Sequence, residues 1–317
     1  MLIAAQADPF EKLKPEQDTT LALLRLRASA GDDVRLYTAR DLTWRDGALH
    51  ARTRRIGSDG APVEAEPIRL ADAAVVMIRD NPPFDLRRQT AAHLHARLDR
   101  FEEGGPLMVN HPHALMTMSS KLATLGVPDA PPASLVTCDP AEAAAFAEGR
   151  DGVVVKPLYG FGGEGVTLLD PGADMAAAIA AFRADGEAAG DYREYFIVQE
   201  KLAAAADGDK RVILADGEPI GAVLRVPGAE GGLANLSAGG KAVAADLTER
   251  ERRIATALKP TLARAGAFLT GLDFIGERLT EVNTVSPGGL VDAAKVSGEP
   301  VAERFWERVE RRLAARA

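Results

Sequence analysis

The chain of 317 residues has one cysteine, Cys138, so no internal disulfide braces it, and a reducing cytoplasm is the compartment expected. No apolar run approaches membrane-spanning length, and no basic leader marks the opening Met1-Leu-Ile-Ala-Ala-Gln6. Neither a membrane partner nor a signal peptide is therefore expected. Positive charge is also outnumbered, 38 Lys and Arg against 46 Asp and Glu, and the net charge of −8 argues against a nucleic-acid partner bound through bulk basic charge. It leaves room for a locally basic pocket around a small anion. Histidines number five, and the pairs His93/His95 and His111/His113 are spaced two apart. Such pairs diverge on a helix, so no zinc-type centre is expected there.

The length allows two or three domains with real cores. Leu2-Ile-Ala-Ala5 reads as a first strand, and Asp18-Thr-Thr20 offers helix caps before the stripe Leu21, Leu24, Ala28, which stops at Gly31. Val34–Tyr37 and Ala73–Ile78 read as further strands, a strand–helix–strand order that indicates a parallel α/β unit. Residues 40–70, with a turn at Trp44-Arg-Asp-Gly47, form a polar excursion without a recognisable periodicity. Arg79-Asp-Asn-Pro-Pro-Phe-Asp85 follows the strand at 73–78, at the end where open parallel sheets bind ligands; taken alone, the loop reads first as a rigid Pro-Pro turn. A helix over about 86–103 and the strand Leu107–Val109 complete a first domain.

After the Pro-rich connector Leu125–Pro132 come a strand (Ser134–Thr137), a helix from Asp139-Pro140, and the strand Val153-Val-Val-Lys156-Pro157. The glycine cluster Leu158-Tyr-Gly160-Phe161-Gly162-Gly163-Glu-Gly165 leads directly into another strand, Val166–Leu169. Backbone N–H groups of such a cluster can approach phosphate. A dinucleotide fingerprint or Walker loop would need a helix next, and no Gly-Lys-Ser/Thr occurs, so the cluster reads as a hairpin flap. With Lys156 on the strand leading into it, the flap resembles that of ATP-grasp enzymes; a plain glycine-rich hairpin is the other reading.

Tyr195–Leu202 reads as a strand entering a linker, Lys210–Leu214 and Glu218–Arg225 as a hairpin turning at Asp216-Gly217. Arg211 and Arg225 then lie on adjacent strands, able to converge on an anion or to sit as an exposed edge pair. The segment Pro227–Lys241 is too glycine-rich to pack and is expected to be a mobile active-site loop. Thr248 and Glu251 form a capping box for a helix with the stripe Ile254, Leu258, Leu262, Ala265, ending at Gly266 with a kink expected at Pro260. Gly271-Leu-Asp-Phe-Ile-Gly-Glu-Arg-Leu-Thr-Glu-Val-Asn283 reads as a hairpin with Glu281 and Asn283 on one face and Asp273 within reach. Two carboxylates and an amide oxygen suit Mg²⁺ better than Zn²⁺, although a hairpin with a solvated acidic face has the same spacing. A last amphipathic helix, about 299–316, carries Val301, Phe305, Val309 and Leu313 on one face and reads as a surface helix.

Taken together, Arg79–Asp85, Val109-Asn110-x-Pro112, Lys156–Gly163, Asp207-Gly-Asp-Lys-Arg211, Asn235-Leu-x-Ala-Gly-Gly240 and Gly271–Asn283 resemble the bacterial glutathione synthetases over essentially the whole chain. The resemblance implies a mixed α/β ATP-grasp fold: an N-terminal parallel α/β substrate domain (1–122), a central lid domain (123–201) and a C-terminal domain with metal and substrate sites (202–317). It implies Lys121, Lys156, Gly160, Gly162, Gly163, Gln199, Glu200, Lys201, Leu202 and Asp209 as ATP-binding. Asp273, Glu281 and Asn283 are implied as ligands of Mg²⁺, with Mn²⁺ as the alternative, and Arg211 and Arg225 as the catalytic arginines. Arg79, Asn235, Gly239, Gly240, Ser286 and Pro287 are implied as substrate-binding.

The implied reaction joins γ-glutamylcysteine to glycine with ATP through an acyl phosphate, in a cytoplasmic homo-oligomer. Residues 228–234 hold Glu230 and Leu233 but no arginine, Met116 replaces a frequent basic residue, and Thr-Val-Ser-Pro-Gly-Gly follows Asn283 in place of Val-Thr-Ser-Pro-Thr. These departures keep open a related ATP-grasp ligase with another donor or amine; a catalytically silent ATP-binding protein is the remaining alternative.

Overall fold

A computed structural model describes residues 1–57, 59–82, 85–98, 105–228 and 240–316. The first part alternates β1 (Leu2–Gln6), α1 (Thr19–Ser29), β2 (Asp33–Tyr37), β3 (Leu42–Arg45), β4 (Ala48–Ile56), β5 (Pro62–Arg69), β6 (Val75–Ile78), α2 (Leu86–His95), β7 (Leu107–Val109) and α3 (Pro112–Thr117). Its sheet runs β3-β4-β2-β1-β6-β7, with β5 also on β4. Strands β2, β1, β6 and β7 are parallel, so their carboxyl ends share one edge. The expected strands and α1 are present; Asp18 caps α1 by accepting from the Leu21 N–H at 2.8 Å.

Two expectations need correction. Residues 40–70 hold three antiparallel strands, β3 to β5; β3 and β5 are largely solvated, and the alternating buried positions of β4, Leu49, Ala51 and Thr53, include one large apolar side chain, so apolar alternation did not announce them. The helix expected to 103 ends at His95 with a short 3₁₀ turn to Leu98; residues 99–104 lie outside the described set.

The middle part comprises β8 (Ser134–Thr137), α4 (Pro140–Ala147), β9 (Val153–Pro157), β10 (Thr167–Leu169), α5 (Met175–Ala189) and β11 (Phe196–Glu200), in an antiparallel sheet ordered β10-β9-β11-β8. The last part holds β12 (Asp209–Ala215), β13 (Glu218–Val226), β14 (Lys241–Ala244), α6 (Glu249–Ala265), β15 (Leu269–Ile275), β16 (Arg278–Asn283), α7 (Leu290–Ser297) and α8 (Val301–Ala314). Its antiparallel sheet runs β14-β13-β12-β15-β16. The mobile loop expected over 227–241 falls mostly on residues 229–239, outside the described set. Lys241, which that reading included, opens β14 because it pairs with Val226 of β13.

Helix α6 carries the expected capping box, with the Thr248 N–H donating to Glu251 at 2.8 Å and the Glu251 N–H returning to Thr248 at 3.2 Å. Gly266, at φ 74°, closes it in the left-handed conformation that favours glycine. Pro260 sits on the exposed face, and the helix runs through it. Helix α8 is more than a surface element. Val301, Phe305, Trp306 and Val309 are buried in the cluster that includes Leu23 of α1 and Phe268. The Trp306 indole donates to the Leu23 carbonyl at 3.0 Å. Each of these apolar side chains contributes roughly 1.5–3 kcal/mol, so α8 fastens the two ends of the chain together.

Candidate active site

The register of the last sheet builds the site. Asp209 faces Arg225 across β12 and β13, Arg211 faces Asp273 across β12 and β15, and Asp273 faces Glu281 across β15 and β16. Side chains alternate along a strand, so Asp209 and Arg211 share a face, as do Glu281 and Asn283. Six of the expected residues therefore meet on one sheet face.

Both nitrogens of one edge of the Arg211 guanidinium bond Asp273, Nε to Oδ1 and Nη2 to Oδ2, the latter at 2.7 Å. Arg225 lies 2.5 Å from Asp209 Oδ2 and 3.1 Å from Asp273 Oδ1. The Asn283 amide donates to Asp273 at 3.1 Å and to Glu281 at 3.2 Å. Burial alone would raise the Asp273 pKa, but the two arginines outweigh it and hold the carboxyl well below its usual range. Burial and then the charge of Asp273 push Asp209 up to about 7.

Lys121 and Lys156 border this face. The Lys121 ammonium lies 3.3 Å from Glu281 and donates to the Gly160 carbonyl at 2.9 Å, linking the glycine turn to the carboxylates. Lys156 donates to Gln199 at 2.8 Å, and burial lowers its pKa. Gly162 and Gly163 have φ of 62° and 81°, which glycine adopts without strain, so the hairpin β9–β10 turns as the flap reading requires. Strand β16 is the sheet's edge, and the segment leading from Lys121 covers it: the Val282 and Leu279 N–H groups donate to Ser120 and Ala130 at 2.8 Å each.

Other expected residues are elsewhere engaged. Glu200 accepts from the Ala133 N–H at 3.0 Å, Leu202 precedes a 3₁₀ turn, and Lys201 pairs with Asp170 at 3.1 Å on an exposed flank. Arg79 is buried, donating to the Pro287 carbonyl at 2.9 Å, while Ser286 donates to the Arg79 carbonyl at 2.9 Å. Asn235 and Gly239 lie outside the described residues; Gly240 immediately precedes β14.

Gly271 was missed as a site residue. A Cβ there would lie 2.9 Å from Arg211 Cδ and 3.0 Å from Nε, so the absent side chain is what lets the guanidinium cross β15. A glycine inside an apolar strand signals close approach, and that signal was available.

Among the described residues no three His, Cys, Asp or Glu side chains are grouped to hold a metal ion. Two carboxylates with one amide still fit a hard cation that phosphate oxygens would also ligate. Two buried atoms bear on that fit, because Asp209 Oδ1 and Arg225 Nε have no partner and can serve a cation and an anion respectively.

Comparison with known proteins agrees. Residues 1–116 match the family described as prokaryotic glutathione synthetase, N-terminal domain, and residues 120–298 its ATP-grasp domain. The glutathione synthetase of Mesorhizobium japonicum is 35% identical, over 97% of both chains. That of Salmonella typhimurium is 33% identical, also over 97% of both. Among solved structures, a D-cycloserine synthetase superposes with a TM-score of 0.65 at 16% identity, covering 99% of this chain and all of that one. An ATP-grasp ligase bound to a minimal precursor superposes at 0.64 with 17% identity, covering 98% of each. At those identities the structural likeness speaks to the ATP-grasp fold alone. Sequence matches spanning nearly the whole chain, on a fold of this kind, make the chain a member of the prokaryotic glutathione synthetase family.

Proposed function

We propose that this chain is an ATP-dependent carboxylate–amine ligase that joins γ-glutamylcysteine to glycine, releasing glutathione, ADP and phosphate. The observation that carries this reading is the single sheet face that gathers Asp209, Arg211, Arg225, Asp273, Glu281 and Asn283, bordered by Lys121 and Lys156.

A carboxylate makes a poor acyl donor because oxide is its leaving group. One oxygen of the cysteinyl carboxylate attacks the γ-phosphorus, the bond from that phosphorus to the β,γ-bridging oxygen breaks, and ADP leaves. The neutral amine of glycine then attacks the acyl carbon, and phosphate departs with the former carboxylate oxygen. The amine's remaining surplus proton passes to solvent.

Charge crowds at each step, and fixed cations answer it without reorganising. Arg211 and Arg225 are assigned to the transferring phosphoryl group and the acyl phosphate, and Lys121 and Lys156 to the ATP phosphates. Asp273, Glu281 and Asn283 would hold Mg²⁺ or Mn²⁺, with the Asn283 amide turned to offer its oxygen; the ion would neutralise phosphate charge. Arg211 and Arg225 rest on the carboxylates, which keeps buried charge paired. Gln199, Glu200, Lys201 and Leu202 are assigned to adenosine, and the turn at Gly160–Gly163 to shielding the acyl phosphate from water.

Each of the three segments, 1–122, 123–201 and 202–317, owns one sheet, which supports that domain division. A cytoplasmic homo-oligomer belongs to the same reading, on the strength of the resemblance.

An ADP-release assay with a panel of donors and amines tests the assignment. ADP release with γ-glutamylcysteine should require glycine. Alanine should be used weakly, because one methyl is worth about 1–3 kcal/mol in a tight pocket. ADP release with a different amine and none with glycine would replace the glutathione assignment by the related-ligase reading.

A further inference from the structure

Asn110, at the carboxyl end of β7, is 2% exposed and spends its whole side chain on another part of the chain. Its amide donates to the Leu269 carbonyl at 2.7 Å and to the Thr284 carbonyl at 2.6 Å. Its oxygen accepts from the Leu269 N–H at 2.7 Å. Leu269 is the first residue of β15, and Thr284 follows the last residue of β16. One side chain of the N-terminal sheet thus closes the base of the hairpin that carries Asp273, Glu281 and Asn283.

Arg79, after the neighbouring parallel strand β6, makes a second attachment a few residues on. It is 3% exposed, and among the described residues its guanidinium has no carboxylate within bonding distance; its partners there are the Thr20 hydroxyl at 3.3 Å and the Pro287 carbonyl at 2.9 Å, and Nη1 has none. Ser286 fixes the same joint from the other side through the Arg79 carbonyl. Two residues beyond Ser286, Gly288 offers its carbonyl to Arg211 at 3.1 Å. A Cβ on Gly289 would lie 3.2 Å from Arg211 Cγ, so this segment also forms a wall beside that arginine. Burying a guanidinium with no counter-charge is costly, and a stability role could be filled by an apolar side chain of similar volume. What the charged fork supplies is a fixed direction and length toward one carbonyl.

We propose that Asn110 and Arg79 are positioning residues: from the carboxyl ends of β7 and β6 they fix segment 284–288, and through it the guanidinium of Arg211. The N-terminal sheet is then a mount for the phosphoryl-transfer groups as well as a substrate domain. The inference rests on the ligase reading of the site. A misplacement near 1 Å at such a group can cost roughly a hundredfold in rate.

A double-mutant cycle tests it, using the full-length wild type, Asn110→Ser, Arg211→Lys and the double variant, with peptide formation and ATP KM measured for each. Asn110→Ser should lower kcat by roughly ten- to a hundredfold, with ATP KM within about twofold of wild type. In the Arg211→Lys background the same change should cost less than about twofold, because two residues acting as a unit are not additive. Asn110 does not touch Arg211, so the coupling passes through the backbone that Asn110 holds, segment 284–288 and the start of β15 at Leu269. Equal costs in both backgrounds, or a loss carried by ATP KM, would overturn the proposal in favour of a merely structural role. If Asn110→Ser does not fold, Ser286→Ala, which removes one bond to the Arg79 carbonyl, carries the same cycle. The two readings fail differently. A wild type that forms no peptide defeats the ligase reading, whereas an active wild type with multiplicative costs defeats this inference alone.

Discussion

Replacing Gly271 by alanine adds one methyl group at the most crowded point of the site. The backbone there is ordinary strand, so the change brings no conformational strain and acts through the methyl alone. The new Cβ would stand 2.9 Å from Arg211 Cδ, 3.0 Å from Nε and 3.2 Å from Cζ. Ordinary contact needs about 3.5–4.0 Å, so the guanidinium must retreat by about 0.5–1 Å. The Nη2–Oδ2 bond to Asp273, now 2.7 Å, would then lengthen past the range of a good charge-assisted bond. Loss of that bond costs stability of about 1.5–3 kcal/mol, and a displaced Arg211 costs roughly ten- to a hundredfold in kcat. Initial rates of peptide formation and thermal unfolding measure both. Gly126→Ala is the control, since nothing lies within 4 Å of its Cβ position. A folded Gly271→Ala enzyme with wild-type kcat would refute the placement of Arg211 as a working group.

Three further expectations concern metal, protons and the glycine turn. Glu281→Gln keeps shape and removes one anionic ligand, so turnover and Mn²⁺ binding by electron paramagnetic resonance should both collapse while the melting temperature stays nearly constant; normal turnover would remove the metal assignment. His95 is buried between the Tyr37 hydroxyl and the Ala91 carbonyl, both at 2.8 Å, and burial lowers its pKa from 6.5 to about 4 despite the Ala91 bond. The unfolded chain then binds the proton first, so stability is full above pH 6.5 and declines as pH falls toward 4, by about 3 kcal/mol in all. His95→Gln should remove this acid loss, so that the variant's melting temperature gains on the wild type's as pH falls from 6.5 to 4, and parallel curves would contradict the assignment; Asp209, raised to about 7, favours the folded state as pH falls through the same window in both proteins, and the depression of the Asp273 pKa acts lower, below 3.8. Proteolysis within 159–166 should slow when Mg-ATP and donor are present, and equal cutting with and without them would count against a shielding role.

Much of the site was legible because strand periodicity is a local property. Glu281 and Asn283, two apart, had to share a face, whereas Asp273 lies across from Glu281 because the register shifts between Asp273 and Phe274, which spacing alone does not announce. The apolar strands β1, β2 and β6 and the capped helices α1 and α6 were legible for the same reason. What escaped notice depends on partners distant in sequence. The salt bridge of Asp209 with Arg225 follows from the β12–β13 register, and the hydrogen bonds of Asn110 and Arg79 reach a segment more than 150 residues away. Strands β3 and β5 escaped because a largely solvated strand lacks the apolar alternation that marks a half-buried one, and β4 escaped because its alternating buried positions include Ala51 and Thr53 beside Leu49. The buried seam under α8 was half legible: its stripe showed a face, and only the fold showed that α1 covers it.

The central claim is that the donor carboxylate is phosphorylated before the amine attacks, and oxygen-18 tests it directly. γ-Glutamylcysteine labelled in the cysteinyl carboxylate, turned over with Mg-ATP and glycine, should deliver one labelled oxygen to inorganic phosphate for each peptide formed. Phosphate without label, at full peptide yield, would contradict the acyl-phosphate route and with it the roles given to Arg211 and Arg225.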